Sequence, residues 1–551
     1  MKTCKLCQTD FEVTDKDWQY YQKVDVPSPT LCPTCRAQRR LAWRNERKLY
    51  VSKSDLSGER LISIFSPDKP YKVYSTQEWW SDKYNPLDYG RDYDFDRPFF
   101  EQFNELMWAV PHMSLIGANN EDCDYCHLLA NCKHCYMITE SSNNEDCLYG
   151  YWLQKCLGCV DSSFSHESRY CYEIDNCYNC YNLKWSQDCT SCSDSYFLKD
   201  SIGCKNCFGC INLHQKQYYI FNKPHTKEEY EAFIRKIDFD SYKKLGHWLA
   251  EAKKFFLTQP HKYAHILNSE NCFGDYIMDA RYCEECYHAH DAEYCKYGEH
   301  VWRGSKNNMD VSTVGREAEW VYEAINTGIS SFNVQFSVQN WTCSDMQYSY
   351  GSHNSSHSFG CVGLKRNEYC ILNKQYSKEE YGGLRSRIVE QMKKNGEYGE
   401  FFPASISPFG YNETVAHEQY PLTKNEVAEQ GFKWSDYEAP LPDVEKVISA
   451  EKLPDNSKDI PDDVLNWAIK CQVSGRPFRL TKEELKFYRE HHIPIPRLHP
   501  DERHMERMKT RNPNRLWNRN CAKCNADIKT SYSPDRPEVV YCEQCYLKEV
   551  Y

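Results

Sequence analysis

The chain has 551 residues, 40% hydrophobic and 15% aromatic, with 42 Tyr, 31 Cys and a formal net charge of −11. That length exceeds the ~250 to 300 residues at which one core stops growing, so several domains are expected, and the acidic balance argues against a protein coated in nucleic acid. The opening "MKTCKLC" lacks the apolar core of an export signal and no apolar run reaches the ~18 residues that cross a bilayer, which reads as a soluble cytoplasmic protein without membrane contact.

In a reducing compartment dense cysteine serves metal ligation or buried packing more often than disulfides, and an odd total prevents complete intrachain pairing. Residues 1–55 read as a zinc ribbon. Cys4, Cys7, Cys32 and Cys35 form CxxC, a 24-residue gap and a second CxxC. Each CxxC turns tightly enough to aim two thiolates at one point, and two such knuckles complete the four-sulfur shell that zinc accepts, with no position left open. Iron in the same geometry is the chemical alternative. Residues 56–117 are dense in aromatics and unlike any repeat, as expected of an adaptor packing the ribbon onto the next domain.

Residues 118–222 carry a repeat. Cys132, Cys156, Cys180 and Cys204 recur every 24 residues, as do Cys123, Cys147 and Cys171, while a third row runs Cys135, Cys159, Leu183, Cys207. Short aromatic or aliphatic stretches between polar turns, at a period of ~20 to 30 residues, predict a β-solenoid with one coil per repeat and equivalent cysteines stacked in columns. Stacked CxxC pairs would then form metal quartets, Cys132, Cys135, Cys156 and Cys159, and Cys177, Cys180, Cys204 and Cys207, raising the zinc count from two to three or four. A ladder of buried free thiols is the competing reading, and disulfides are a third.

The solenoid duplicates. "CINLHQKQYYIFNKPHTKEEY" at 210–230 matches "CVGLKRNEYCILNKQYSKEEY" at 361–381, an offset of 151. The second unit spans 268–375, and helical caps at 223–267 and 376–400 each open on a capping box, Thr226 with Glu229 and Ser377 with Glu380. The first unit holds 15 cysteines from Cys123 to Cys210, the second seven from Cys272 to Cys370, so the fold cannot need every thiol. In the second unit Cys283, Cys286, His288, His290 and Cys295 form a mixed cluster where an open metal position would support Lewis-acid chemistry.

Residues 401–465 read as an acidic linker containing one short helix. A degenerate ribbon follows at 466–518. At a constant offset of 467, Phe11 meets Phe478, Tyr21 meets Tyr488, Pro33 meets Pro500, and Arg36 and Arg44 meet Arg503 and Arg511. Cys4 survives as Cys471, but Ser474, His499 and Glu502 replace its partners, so this copy should hold no metal and rely on packing by Phe478, Leu485, Phe487 and Ile493. Both copies run into a basic stretch, 36–48 and 503–519, with six Lys or Arg against one Glu and with Trp43 or Trp517 interleaved. That pattern makes Arg36, Arg39, Arg40, Arg44, Arg503, Arg507, Arg511 and Arg515 candidate nucleic-acid contacts, unless the helices dock on the acidic middle of the same chain. The last ribbon, 519–551, repeats the CxxC arrangement with Cys521, Cys524, Cys542 and Cys545 across a 17-residue gap.

The segment "CKLCQTDFEVTDKDWQYYQKVDVPSPTLCPTCRAQRR" resembles the "probable zinc-ribbon" family, whose pattern is CxxC, a Phe-x-x-Thr step, a Tyr pair, paired prolines and CPxCR. With "WWSDKYNP", "SPFGYNETVA" and "SPDRPEVVYCEQCY", the whole chain resembles multi-zinc-ribbon bacterial proteins. The resemblance implies zinc at Cys4, Cys7, Cys32 and Cys35, and no activity.

The expected architecture is thus a mainly β, multidomain chain: a duplicated 24-residue-repeat β-solenoid with capping helices, flanked by zinc ribbons. The leading functional reading is a non-enzymatic zinc-binding scaffold presenting aromatic and basic surfaces to a macromolecule, protein or nucleic acid. The alternatives are a nucleic-acid- or ribosome-associated factor acting through the basic ribbons, and a metallohydrolase or redox protein using the second unit's Cys and His cluster. HExxH, GxSxG, a P-loop and a dinucleotide fingerprint are absent.

Overall fold

The computed structural model describes residues 1–440, 444 and 446–550, and it is mainly β. Positions 441–443 and 445 of the predicted acidic linker lie outside the described residues.

The solenoid is built from a three-residue step. Its first residue pairs in parallel with a residue twelve positions on: Lys133 with Glu145, Tyr136 with Leu148, Thr139 with Tyr151. The second takes positive φ, about 50° at His134, Met137 and Glu140. The third, as at Cys132, Cys135, Ile138 and Ser141, is buried inside the coil. Four steps close one turn, so the coil holds twelve residues and the 24-residue repeat spans two coils. One coil per 24 residues is therefore corrected: Cys132, Cys156, Cys180 and Cys204 do share a column, but Asn144, Ser168 and Cys192 stand between them.

A left-handed residue costs roughly 1 to 2 kcal/mol, least for Asn and Asp, whose short side chains bond locally. This explains Asn119, Asp122, Asn131, Asn143, Asp146 and Asp161 at the second position. The gain is a continuous ladder. Lys133 N–H donates forward to the Asn144 carbonyl at 2.9 Å, and Asp146 N–H donates back to the Lys133 carbonyl at 3.1 Å.

The inward residue's N–H is left over, and a buried unpaired N–H costs ~1 to 3 kcal/mol. Side chains in the column answer it. Cys156 N–H donates to Asn144 Oδ1 at 2.8 Å, Leu153 N–H to Ser141 Oγ at 3.0 Å, Cys207 N–H to Ser195 Oγ at 3.0 Å and Cys204 N–H to Cys192 Sγ at 3.4 Å. The narrow interior thus selects small residues able to accept a hydrogen bond, and cysteine, serine and asparagine alternate for that reason. In the second unit Ala280, Ala289, Ala292, Val301 and Val311 fill the same core, which explains its lower cysteine count. Its coils lengthen to thirteen residues where Lys296 pairs with Met309 and Met309 with Tyr322.

None of the 31 cysteines is in a disulfide, and within the solenoid only Cys123 and Cys272, in the first coil of each unit, are partly exposed. With the ribbons metal-loaded, a thiol reagent should label those two rapidly and the other solenoid thiols only on unfolding. Mass mapping of early adducts checks this; fast labelling of Cys156 or Cys192 would contradict it.

The ribbon duplication holds in detail. Helices Asp15–Lys23 and Lys482–Glu490 are both capped by threonine boxes, at Thr14 and Thr481, and helices Pro33–Leu41 and Pro500–Thr510 both begin on proline. The connectivity is crossed: the N-terminal ribbon packs on the second solenoid unit and the degenerate ribbon on the first. Tyr21 meets Tyr322 at 5.7 Å between ring centres, and Tyr488 meets Tyr172 at 5.9 Å. As expected, Phe478, Leu485, Phe487 and Ile493 are buried together where the degenerate ribbon has no thiol cluster.

Between ribbon and solenoid, helix Phe99–Ala109 lays Phe99 on Tyr348 and Phe359. The stretch read as an acidic linker contributes to the same core: Phe401, Phe402, Phe409 and Tyr411 are buried there. Its expected short helix is a 3-10 turn, Asp462–Asn466, leading into strand Trp467–Lys470. Both predicted capping boxes form, on helices Lys227–Arg235 and Lys378–Asn395.

Candidate metal centres and the cleft between the solenoids

Two four-cysteine clusters converge, Cys4, Cys7, Cys32 and Cys35, and Cys521, Cys524, Cys542 and Cys545, each with its sulfurs within 4.8 Å of one another. The knuckle loops explain the convergence. Gln8 at φ 60° and Asn525 at φ 61° turn the chain back, so that Cys4 N–H donates to the Thr9 carbonyl and Cys521 N–H to the Ala526 carbonyl. Cys32 holds the N-cap position of helix Pro33–Leu41, where the helix dipole favours thiolate, and Cys35 lies in its first turn. Sγ to Sγ distances of 3.7 Å, Cys7 to Cys32 and Cys524 to Cys542, match the edge of a tetrahedral four-sulfur shell with ~2.3 Å bonds. Hydrogen bonding with Cys35 holds the Cys32 thiol down at about 4 and pushes Cys35 up, so the crowded sulfurs share a negative charge that a cation would neutralise.

The predicted solenoid quartets do not converge among the described residues. Cys132 and Cys156 are two coils apart, as are Cys135 and Cys159, which is roughly 10 Å at ~4.8 Å per coil. Cys180 and Cys204 are separated in the same way by Cys192. The mixed cluster also divides: Cys283, Cys286 and Cys295 are buried inside the coil, whereas His288 and His290 lie outside its wall and line a cleft between the two units.

The basic stretches are internal counter-ions. Arg36 Nε donates to Asp310 at 2.9 Å, Arg40 lies 3.2 Å from Glu323, and Arg39 bonds Glu323 at 3.0 Å and Glu400 at 2.8 Å. The equivalent helix repeats this on the first unit, with Arg503 and Arg507 on Asp161 at 2.8 and 3.0 Å. Arg44 pairs with Glu46 and Glu140, and Arg511 with Asp175. These seven arginines are therefore corrected as free nucleic-acid contacts, since their charge is spent against the solenoid; Arg515 alone of the eight is exposed.

The two solenoid units dock corner to corner, running in opposite directions, through their positive-φ columns. Trp152 stacks on His300 at 4.4 Å, Phe164 on His288 at 5.0 Å, His288 on Tyr276 at 4.8 Å and Tyr276 on His265 at 4.6 Å, all within 13° of parallel. Arg511 is wedged into this file, 3.9 Å from the Phe164 ring centre, while donating to His288. Beside the rings a cleft of about 230 Å³ opens. Asp188 and Asp200, on consecutive coils of the first unit, meet His265 there, which the structure places at the start of the second unit, before strand Ile266–Leu267, rather than in the helical cap. Sequence reading missed all three. The signal was a twelve-residue spacing between Asp188 and Asp200, concealed by the 24-residue cysteine rows.

Burial pushes the pKa of His112, His166, His261, His353 and His504 down to about 4 and of His127 to about 3. The unfolded chain takes up these protons near pH 6.5. Acidification from 6.5 towards 4 therefore favours the unfolded state, by up to roughly 3 kcal/mol per fully shifted histidine. Burial raises Glu173 and Asp188 to about 7 and Glu46 to about 8, which acts in the opposite sense through fewer groups. The thermal midpoint should accordingly fall over this window, and a flat calorimetric profile between pH 6.5 and 4 would contradict it.

No protein-family model matches the chain, and no curated protein matches it. Among solved structures, one described as an acetyltransferase from Desulfovibrio desulfuricans G20 aligns with 49% of this chain and 68% of its own at 8% identity and a TM-score of 0.10, too slight a likeness to bear on fold or function. No described helix is long and apolar enough to cross a membrane.

Proposed function

We propose that this protein is a zinc-braced scaffold that offers an aromatic surface to a protein partner. The observation that carries the reading is the pair of closed four-cysteine clusters. Four sulfur ligands saturate zinc and leave no reactive position, so each metal would act on structure. The N-terminal cluster shapes the helix whose arginines clamp the second solenoid unit. The basic surface expected from the sequence is largely consumed inside the molecule, whereas large aromatic side chains remain outside, among them Trp18, Trp108, Tyr181, Phe273 and Tyr294. Exposed rings of this kind suit protein contacts with few charges.

Native mass spectrometry of the full chain with elemental identification should find two tightly held zinc ions, both lost on combined Cys35→Ser and Cys545→Ser substitution. No zinc, or iron in its place, would overturn the reading. Nucleic-acid mobility shifts at physiological salt should be absent; a shift that falls steeply with salt and disappears in Arg515→Glu would instead favour a nucleic-acid-associated factor.

A further inference from the structure

We infer that Asp188, Asp200 and His265 form a third metal centre, a carboxylate and imidazole site for a divalent cation with coordination positions open to the cleft. It shares no ligand with either four-cysteine cluster, although Ser531 and Tyr546 of the C-terminal ribbon stand beside it. Asp188 and Asp200 hold equivalent corners of successive coils, so the ~4.8 Å coil rise sets their carboxylates at the spacing one ion can bridge. The opposed second unit delivers His265, whose Nε2 lies 3.3 Å from Asp200 Oδ1 and 3.8 Å from Asp188 Oδ2. One ligand atom from each of the three residues falls within 4.8 Å of the others.

Two further observations point to an occupant. The Asp188 side chain is 4% exposed, yet its Oδ2 has no hydrogen-bond partner among the described residues. Its other oxygen accepts from Asn176 Nδ2 at 2.7 Å, which holds the carboxylate in place with Oδ2 turned to the histidine. A buried carboxylate oxygen left unpaired costs free energy that a cation would remove. Behind the site, Asp275 Oδ1 lies 3.0 Å from His265 Nδ1 and accepts the His265 backbone N–H at 2.7 Å. Asn512 and Ser531 donate in turn to Asp275 Oδ2. A carboxylate behind one ring nitrogen fixes the tautomer and presents the other to a metal.

An internal salt bridge is the rival account, with a protonated His265 balancing its neighbours. Three acidic groups then surround one imidazolium, Asp200 and Asp275 as carboxylates and Asp188 shifted by burial towards its protonated form. Of the nearby cations, Arg511 is committed to Asp175 and Lys262 to Glu543, and Lys199 acts on Asp188 and Asp200 from beyond ion-pair distance. A divalent ion balances the charge better and fills the gap at Asp188. One imidazole with two carboxylates suits Mn²⁺, Fe²⁺ or Zn²⁺ and differs from the all-sulfur ribbons. Because all three residues line the cleft, positions not taken by protein would open beside the Tyr276 and Tyr178 rings. The ligand class that fits there is a small anion, such as a carboxylate, carried on an aromatic or apolar body.

Mn²⁺ separates this site from the ribbons, because it favours oxygen and nitrogen over thiolate. The zinc-loaded full chain, titrated with Mn²⁺ and followed by loss of the free-ion electron paramagnetic resonance signal, should take up one Mn²⁺, displaceable by Zn²⁺. Asp188→Asn and His265→Gln should abolish that uptake while the ribbon zinc count stays at its wild-type value. Asp275→Asn should weaken it roughly 10- to 100-fold. Thermal unfolding without Mn²⁺ reports whether each variant folds. The wild-type chain supplies an independent readout, since bound Mn²⁺ must raise its midpoint. No uptake by wild type, or uptake that survives both ligand substitutions, would overturn the assignment whatever the ribbons hold.

Discussion

Replacing Cys35 with serine is expected to release the N-terminal ribbon from the second solenoid unit. The ribbon's own core is three buried thiols, Cys4, Cys32 and Cys35, with Phe11 and a few partly buried neighbours, so the start of helix Pro33–Leu41 depends on the metal while Leu41 at its end is buried in the main core. Structural zinc contributes on the order of 10 kcal/mol to such a small unit. That helix carries Arg36, Arg39 and Arg40 onto Asp310, Glu323 and Glu400, so loosening it also strands buried carboxylates. A strong chelator should reproduce the effect, with an early calorimetric transition and protease cleavage near residues 36–48. Cys471→Ser, in the ribbon that already relies on packing, should leave metal content unchanged. Identical unfolding of Cys35→Ser and wild type, with an undiminished metal count, would remove the bracing role.

The second large effect is expected at the buried ion pairs. Asp310 is 0% exposed and receives Arg36 and Arg40, each 1% exposed, at 2.9 and 3.4 Å. Asp310→Ala leaves two guanidinium groups facing a buried void with only Glu323 nearby. Breaking a buried pair from one side costs about 3 to 5 kcal/mol, because the orphaned charge has lost its water. Asp161→Ala should cost a similar amount on the other face, where Arg503 and Arg507 converge. Replacing Asp310, Arg36 and Arg40 together by apolar residues of similar volume should recover most of the loss. Urea midpoints of the single and triple variants check both statements, and unchanged midpoints for Asp310→Ala and Asp161→Ala would show the pairs to be dispensable. Arg40→Glu and Arg507→Glu should unfold their modules, so loss of any binding in those variants would not identify a nucleic-acid surface.

The local signals proved the readable ones. CxxC spacing is a statement about a tight turn and two sulfurs, settled within a few residues, and both clusters converge as read. The duplicated ribbon was visible without its metal because Thr14, Pro33 and Arg36 keep their spacing as Thr481, Pro500 and Arg503. Duplication of the solenoid was visible too. The coil length was misread by a factor of two because an inward position asks only for a small side chain that can accept a hydrogen bond. Asn144 and Ser168 serve as well as Cys156 and Cys180, so the identity row skips coils that the backbone does not.

Other features depend on residues brought together from far along the chain. Arg36 and Asp310 are 274 positions apart, and no local pattern tells a free cation from one already paired. The stacked rings and the meeting of Asp188, Asp200 and His265 exist because two solenoids dock corner to corner in opposite directions. Each column is set by its own coil rise. Which column faces which is decided by packing between units, and that choice makes a file of outward side chains into a cleft.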